Sequence, residues 1–211
     1  MDKKAIFDFD KTLISINTFT YWVFHLWLIS LKKGNFKLFF KITFLIFSRK
    51  VLKNISHKNF KEKLLLFDYN QEYDILFCKK ISKYINYDIL NSLNKLNEQN
   101  YFIAISSAAP EKYLKIFVNN YLHINKSLVL GSVLVDGKIF ENFQKNKLLR
   151  LIETKFIEKD EVYECLFTDS DDDIFLGENA KKISLVNPTK EILKNYMNVY
   201  SSKIEIKKAG S

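Results

Sequence analysis

The 211-residue sequence predicts an α/β fold with a mainly parallel sheet and an inserted helical block. Three observations support this. Several short apolar runs end in polar residues, as buried parallel strands do at their carboxyl ends. A long region with helical periodicity separates the first two of these runs. Only 2 prolines and 5 glycines occur, which disfavours a turn-rich all-β protein, and 47% hydrophobic residues exclude a disordered chain.

The first apolar run, residues 5–7, predicts a short buried strand that ends at Asp8 and Asp10. In an extended backbone, residues two apart point the same way, so both carboxylates can face one small volume. Like charges that close together need a cation or a shared proton. An isolated Asp-x-Asp more often caps a strand and starts a turn than it marks a site, so the pair needs partners from elsewhere in the chain.

Residues 14–87 are predicted to form the helical block. Two aromatic-rich runs, 19–31 and 36–47, are joined by a polar turn at 32–35, which predicts an antiparallel helical hairpin. Each run is shorter than the ~20 residues that a membrane-spanning helix needs, so no transmembrane segment is predicted. Attachment to the membrane interface stays open as an alternative.

A second buried strand is predicted at residues 101–105, followed by Ser106, Ser107 and a helix that begins at Pro110. Small hydroxyl residues with free backbone amides in front of a helix suit a phosphate group. Either serine could take this role, depending on where the strand ends.

The next segment, 128–139, predicts a β-hairpin around an Asp-Gly turn. A helix follows that carries Lys145 and Lys147, and either lysine could supply a fixed positive charge. A third strand, 162–167, then runs directly into an acidic segment that contains Asp169 and Asp173. These acids begin where the apolar run stops, which favours a site over a solvated acidic loop.

The end of the chain predicts one more strand at residues 183–186 and a closing helix at 190–200. Residues 203–211 are predicted to be a solvated tail.

Taken in order, residues 7–13 (FDFDKTL), the serine segment 107–111 (SAAPE), a helical lysine and the acidic segment 168–173 (TDSDDD) resemble the haloacid dehalogenase superfamily. Within it they look most like the phosphoserine-phosphatase-like branch. The resemblance implies a Rossmann-like core with a mainly parallel sheet, residues 1–13 and 88–211, and a helical cap, residues 14–87. Thr168 departs from the family pattern, where glycine is common, and Asp172 stands where asparagine is frequent.

The resemblance also implies residue roles. Asp8 would be the nucleophile that forms an aspartyl-phosphate, and Asp10 the general acid and base. Mg²⁺ would be held by oxygens of Asp8, Asp10 and Asp169, since Mg²⁺ prefers oxygen ligands and retained waters. The remaining implied roles are phosphate binding by Ser107 and Lys147, and support of the metal site by Asp173 and Thr12.

The implied activity is Mg²⁺-dependent hydrolysis of a small phosphomonoester: phosphoserine, an amino-alcohol phosphate, glycerol phosphate or a surface-glycan precursor phosphate. A non-catalytic binding or membrane-surface module is the alternative. The net charge of +9 suits an anionic substrate. Nucleic acid is disfavoured because no nucleic-acid-binding module is found. Cys78 and Cys165 lack a CxxC spacing, which predicts reduced thiols in the cytoplasm. The oligomeric state is left open.

Overall fold

The structure is a computed structural model that describes residues 3–208. Within this range the chain forms seven strands and eight α-helices. The strands are β1 (Lys4–Phe7), β2 (Phe102–Pro110), β3 (Ser127–Val135), β4 (Lys138–Phe140), β5 (Tyr163–Thr168), β6 (Ala180–Val186) and β7 (Ile204–Lys207). The helices are α1 (Thr18–Lys32), α2 (Phe36–Lys50), α3 (His57–Leu65), α4 (Glu72–Ile81), α5 (Tyr87–Glu98), α6 (Glu111–Tyr121), α7 (Lys145–Glu153) and α8 (Lys190–Tyr200).

The strands form one sheet in the order β4-β3-β2-β1-β5-β6-β7. All neighbouring pairs are parallel except β3 and β4, which form the predicted antiparallel hairpin. The chain leaves β1 for β2 on one side and later returns to β5 on the other side. The strand order therefore reverses at β1, and ligands bind at such a point in open α/β sheets.

β1 is the centre of the sheet because its side chains can be buried on both faces. Ala5, Ile6 and Phe7 have no exposed surface, and the Phe7 ring stacks on Phe167 of β5 at 4.3 Å. The pairing with β5 continues one residue past the strand, because the Asp8 amide donates to the Phe167 carbonyl at 2.9 Å. This bond fixes the backbone where the first acid emerges.

Helices α1–α5 lie between β1 and β2 in the chain, and we call the first four, α1–α4, the helical insertion. The predicted hairpin is confirmed as α1 and α2, joined at residues 33–35. Two short chain segments connect the insertion to the sheet, and they are hydrogen-bonded to each other. Ser15 donates its amide to Tyr84, the Asn86 amide donates to Leu13, both at 2.9 Å, and Ile14 bridges Ile85. We call this pair of segments the connecting ribbon.

The predicted solvated tail is wrong for residues 204–207. They form β7, which pairs in parallel with β6 at the sheet edge, because Ile204 and Ile206 alternate with polar residues as an edge strand requires. Residues 209–211 lie outside the described range. Within that range, none of the helices combines the length and the apolar character that a bilayer crossing requires.

Candidate active site

A cavity of about 500 Å³ opens where β1, β2 and β5 end. The parallel order of these three strands places the residues at and just beyond their carboxyl ends at the same edge of the sheet. The cavity is lined from the sheet side by Asp8, Asp10, Lys11, Ser107, Ala108, Ala109, Glu141, Phe143, Lys147, Asp169, Ser170 and Asp172, and from the insertion side by Asn17, Phe19, Thr20, His57, Lys58 and Lys61.

Asp8 is 6% exposed and is held by one strong contact. The Lys147 ammonium donates to Asp8 Oδ1 at 2.7 Å and lies 2.6 Å from Asp173 Oδ1. Asp173 Oδ2 in turn accepts a hydrogen bond from the Thr168 hydroxyl at 2.7 Å. Lys147 therefore fixes one oxygen of Asp8, while no hydrogen bond from the described residues reaches the other oxygen, Oδ2.

The charges around Asp8 do not balance. Burial raises the pKa of Asp8 well above its ordinary value, Lys147 opposes this, and the nearby carboxylates of Asp173 and Asp169 raise the pKa further. Burial alone would lower the pKa of Lys147, but Asp173 and Asp8 outweigh burial and raise it. The lysine thus stays charged, and a single cation is shared among several carboxylates.

Asp10 lies beside Asp8 and is bonded to the first turn of α1. Its Oδ1 accepts from the Thr18 amide at 3.0 Å and from the Thr18 hydroxyl at 2.6 Å. The Thr18 hydroxyl also lies 2.8 Å from the hydroxyl of Tyr113. Burial raises the pKa of Asp10, and the two Thr18 hydrogen bonds partly counteract the rise. A carboxyl group with a raised pKa retains a proton it can donate.

Phe9 explains why both acids face the cavity. Its side chain is fully buried and contacts Phe117 edge-on at 5.2 Å, on the opposite side from the acids. Asp8 and Asp10 thus both line the cavity while Phe9 packs away from it, although β1 ends at Phe7 and Phe9 already lies in a turn. Lys11 then adopts a positive φ of 57°, which turns the chain towards the insertion.

Asp169 has fewer hydrogen-bond and ion-pair partners among the described residues than Asp8 or Asp10 has. It lines the cavity directly after β5, and it has no hydrogen bond or ion pair with any described residue. Burial raises its pKa to about 6, with Lys11 opposing this change and Asp173 adding to it. Asp8 and Asp169 thus form a pair of mutually repelling carboxylates that open to the same cavity.

The chemistry of these oxygens suits a hard divalent cation, although the side chains are not already gathered into a metal-binding cluster. Among the described residues, no cluster of three or more His, Cys, Asp or Glu side chains is placed to hold a metal ion. Two carboxylates, from Asp8 and Asp169, with the backbone carbonyl of Asp10 would make up the partial oxygen shell that Mg²⁺ accepts while keeping several waters. A bound cation would reduce the repulsion between the carboxylates of Asp8 and Asp169.

The structure distinguishes between the alternative serines and lysines. Ser107 lines the cavity, whereas the Ser106 hydroxyl accepts a hydrogen bond from the buried Asn142 amide at 3.0 Å. Lys147 points to Asp8, whereas the Lys145 ammonium lies 4.9 Å from the centre of the Phe175 ring, outside the cavity. Ser107 and Lys147 are therefore the members brought together with the acids.

Thr12, two residues after Asp10, is fully buried, but its hydroxyl has no hydrogen-bond partner among the described residues. Its carbonyl accepts from the side chain of Asn86 in the connecting ribbon at 3.1 Å. The backbone of Thr12 therefore links the segment that carries Asp8 and Asp10 to the connecting ribbon.

Sequence reasoning missed the contribution of α3. Lys61 is 4% exposed, and its ammonium donates to the Ala108 carbonyl at 3.2 Å and to Glu141 at 3.0 Å. The helical periodicity of the sequence could have indicated this, because Lys61 lies between Phe60 and Leu64 on the buried face of α3. A lysine on an apolar face needs a partner, and here that partner is at the cavity wall.

No protein-family model matches the chain, and no curated protein matches it either. Solved structures do. A Bordetella pertussis Tohama I protein of unknown function matches with a TM-score of 0.73 and 14% identity, over 97% of this chain and 98% of that chain. A phosphoserine phosphatase, solved as an analogue of its phospho-aspartyl intermediate, gives 0.58 and 16%, over 99% and 94%.

A haloacid dehalogenase-like hydrolase from Streptococcus pneumoniae matches with a TM-score of 0.56 and 13% identity, over 98% of this chain and 94% of that chain. These matches cover nearly whole chains on both sides, so the likeness includes the insertion as well as the sheet. The predicted α/β class with a Rossmann-like, mainly parallel sheet is confirmed. The chain shares its fold with this phosphoserine phosphatase and with this haloacid dehalogenase-like hydrolase.

Proposed function

We propose that this chain is a Mg²⁺-dependent phosphatase that hydrolyses a small phosphomonoester through a phosphorylated Asp8. The observation that carries this proposal is the state of the Asp8 carboxylate. Lys147 holds its Oδ1 at 2.7 Å, Asp8 and Asp10 both line the cavity, and Oδ2 of Asp8 accepts no hydrogen bond from a described residue. A buried carboxylate with one fixed and one free oxygen is oriented for attack.

In the first step, Asp8 Oδ2 attacks phosphorus and the bond from phosphorus to the alcohol oxygen breaks. Asp10 gives its proton to the departing alcohol, which the raised pKa of this carboxyl permits. In the second step Asp10 takes a proton from water, and the water oxygen attacks the same phosphorus. Inorganic phosphate leaves, Asp8 is restored, and Asp10 is again protonated.

The other residues of the cavity bind and orient the phosphoryl group. Lys147 places its charge against the oxygens that become more negative as the bond breaks, and the Ser107 hydroxyl can donate to one of them. Mg²⁺, held by Asp8, Asp169 and the Asp10 carbonyl, would neutralise phosphoryl charge. Asp173 keeps Lys147 in position, and Thr168 does the same for Asp173.

The substrate classes expected from the sequence remain the candidates, and the cavity adds that Lys58 of α3 lines it, whereas the charge of Lys61 is paired with Glu141. The Lys58 charge favours a substrate with negative charge beyond its phosphate. The helical insertion would act as a cap that closes over this space and excludes water. An intact set of Asp8, Lys147 and Asp169 counts against the non-catalytic alternative.

The test is release of phosphate from an aryl phosphate and from a panel of phosphorylated metabolites, with Mg²⁺ and with a chelator. Asp8→Asn should lower turnover by about 10³-fold or more. Asp136→Asn, an exposed change at the β3–β4 turn, is the matched control and should keep wild-type turnover. Turnover by Asp8→Asn at the wild-type rate would refute the proposal.

A further inference from the structure

Helix α2 has two apolar faces, although it has neighbours on only one side. Leu38, Ile42 and Leu45 are buried against the rest of the insertion. The opposite face carries large aromatic residues at helical spacing, and most of their surface is exposed: Phe36 at 57%, Phe40 at 65% and Phe44 at 68%, followed by Phe47 at 47%. A helix that met only water on that side would be polar there.

The exposed face continues onto α1 as a connected layer of rings. Phe24 stacks with Trp27 at 5.9 Å, Trp27 stacks with Phe39 at 5.3 Å, and Phe39 contacts Phe40 at 5.4 Å. The Trp27 indole also donates to Thr43 across the helix pair at 2.9 Å. We call this layer, together with Leu31, Phe36 and Phe44, the aromatic face. Contiguous apolar surface of this kind marks an interaction site.

The charge of the same region is one-sided. No Asp or Glu occurs between Asp10 and Glu62. The hairpin and its flank carry seven basic residues: Lys32, Lys33, Lys37, Lys41, Arg49, Lys50 and Lys53. Within residues 3–208, the only ion pair that these basic residues make with an acid joins Lys33 to Glu72, at 3.2 Å.

This charge decides between the possible occupants of the aromatic face. A second copy of the chain would bring an equally basic hairpin against the first, and like charges across an interface are repulsive. An anionic lipid surface offers both apolar depth and negative charge. A helix with aromatic residues on one side and lysines beside them is the form that lies in the plane of a membrane interface.

The length of the hairpin agrees with lying on a membrane and not with crossing it. α2 has 15 residues, whereas a span needs about 20. α1 begins at Thr18, which binds Asp10, and ends at Lys32 beside the turn. Its 15 residues cover about 22 Å, so a membrane bound along the hairpin would lie close to the cavity.

We propose that the α1–α2 hairpin docks on anionic lipid bilayers through its aromatic face, with the surrounding lysines contacting the lipid headgroups. This docking goes beyond the proposed phosphatase activity and does not depend on it.

The test is flotation of the full chain with vesicles of phosphatidylcholine that contain about 30% phosphatidylglycerol, beside vesicles of phosphatidylcholine alone. The wild type should float with the anionic vesicles, and less at high salt. The variant F40S/F44S should lose about tenfold or more in affinity. K37Q/K41Q should lose a similar amount, on anionic vesicles only.

Matched controls replace equally exposed residues elsewhere. V162S/V199S removes two valines that are each 58% exposed, and K159Q/K194Q removes two exposed lysines; both should float like the wild type. Aryl phosphate turnover should be unchanged in F40S/F44S, because these residues line no part of the cavity. Flotation does not require turnover, so failure of either proposal is seen separately.

Three results would overturn the docking proposal. The first is a wild type that stays with the unbound protein at low salt, and the second is an F40S/F44S variant that floats as well as the wild type. The third is a wild-type dimer that F40S/F44S dissociates while no vesicle binding is seen, which would assign the aromatic face to a second copy of the chain.

Discussion

Two buried aspartates of this protein are held in opposite ways. Asp74, on α4 of the insertion, has no exposed surface, and both of its oxygens have partners. Its Oδ1 accepts from the Trp22 indole at 2.8 Å and from the Tyr69 hydroxyl at 3.0 Å, and Lys112 lies 3.6 Å from its Oδ2. Asp8 has only Lys147, on one oxygen.

The difference separates a structural carboxylate from one that is available for chemistry. Asp74 ties α1, α4 and α6 together, and nothing further can approach its oxygens. Asp8 is fixed but still has an open oxygen at the cavity. Asp10 lies between these extremes with its two Thr18 bonds, and Asp169 has no described partner at all. The number of partners therefore falls from the insertion towards the sheet edge.

The largest expected effect tests this comparison directly. Asp8→Asn should lose about 10³-fold or more in turnover, yet keep its free energy of unfolding within about 1 kcal/mol, because Lys147 retains Asp173 and a buried repulsion is removed. Asp74→Ala should do the reverse. It leaves the Trp22 and Tyr69 donors without an acceptor, which should lower the free energy of unfolding by about 3 kcal/mol.

Chemical denaturation and aryl phosphate turnover, measured on both variants, give the two readouts. Turnover of folded Asp74→Ala should stay within about tenfold of the wild type. If both variants lost stability equally and kept turnover, Asp8 and Asp74 would have the same structural role and the comparison would fail.

A second prediction concerns pH and the partnerless Asp169. Its pKa of about 6 in the fold lies above the ordinary 3.8, so the fold favours the protonated form. Without divalent metal, this contribution to stability is present below pH ~4 and is lost as pH rises to ~6. Asp169→Asn should thus unfold like the wild type at low pH, and be more stable by at most about 3 kcal/mol at pH 7.

Denaturant titrations in a chelator at several pH values measure this difference. With Mg²⁺ present, the wild type should regain stability and the variant should not, while turnover of the variant falls by about 100-fold. A variant that is less stable than the wild type at pH 7 in chelator would show that the Asp169 carboxylate makes a stabilising contact, which contradicts this prediction.

The smallest effect is expected at Thr18. Thr18→Val keeps the backbone amide that binds Asp10 and removes the hydroxyl bond, so the pKa of Asp10 should rise further. The limb of the pH–rate profile that belongs to Asp10 should move to higher pH, and turnover should fall several-fold, about tenfold at most. Thr18→Ser should restore the wild-type profile. An unchanged profile in Thr18→Val would mean that the hydroxyl does not tune Asp10.

Much of the site could be predicted from the sequence because its residues lie at the ends of predicted strands. A parallel sheet gathers the residues at the carboxyl ends of its strands, so Asp8, Ser107 and Asp169 could be grouped without coordinates, although β2 continues past Ser107 to Pro110. The helical hairpin followed from periodicity and a polar turn. These features depend on local patterns that the chain repeats in a regular way.

The rest depends on contacts between distant residues. Ser106 and Ser107 differ only in which face of β2 they occupy, and Lys145 and Lys147 only in their angle around α7. Lys61 reaches the cavity because α3 packs beside β4, and β7 forms because β6 offers it an edge. A local pattern places Lys61 on a buried helix face and gives residues 204–207 the alternation of a strand, but only tertiary packing decides which partner each of them meets.

The connecting ribbon lies at the same junction as the hydrogen bond between Asp10 and the first turn of α1. Both of its segments are hydrogen-bonded to each other, and one of them continues directly from Asp10. The Asp10–Thr18 bond spans the same junction, from the sheet to the first turn of α1. Any displacement of α1 relative to the sheet would stretch or shorten that bond, and the pKa of Asp10 would change with it.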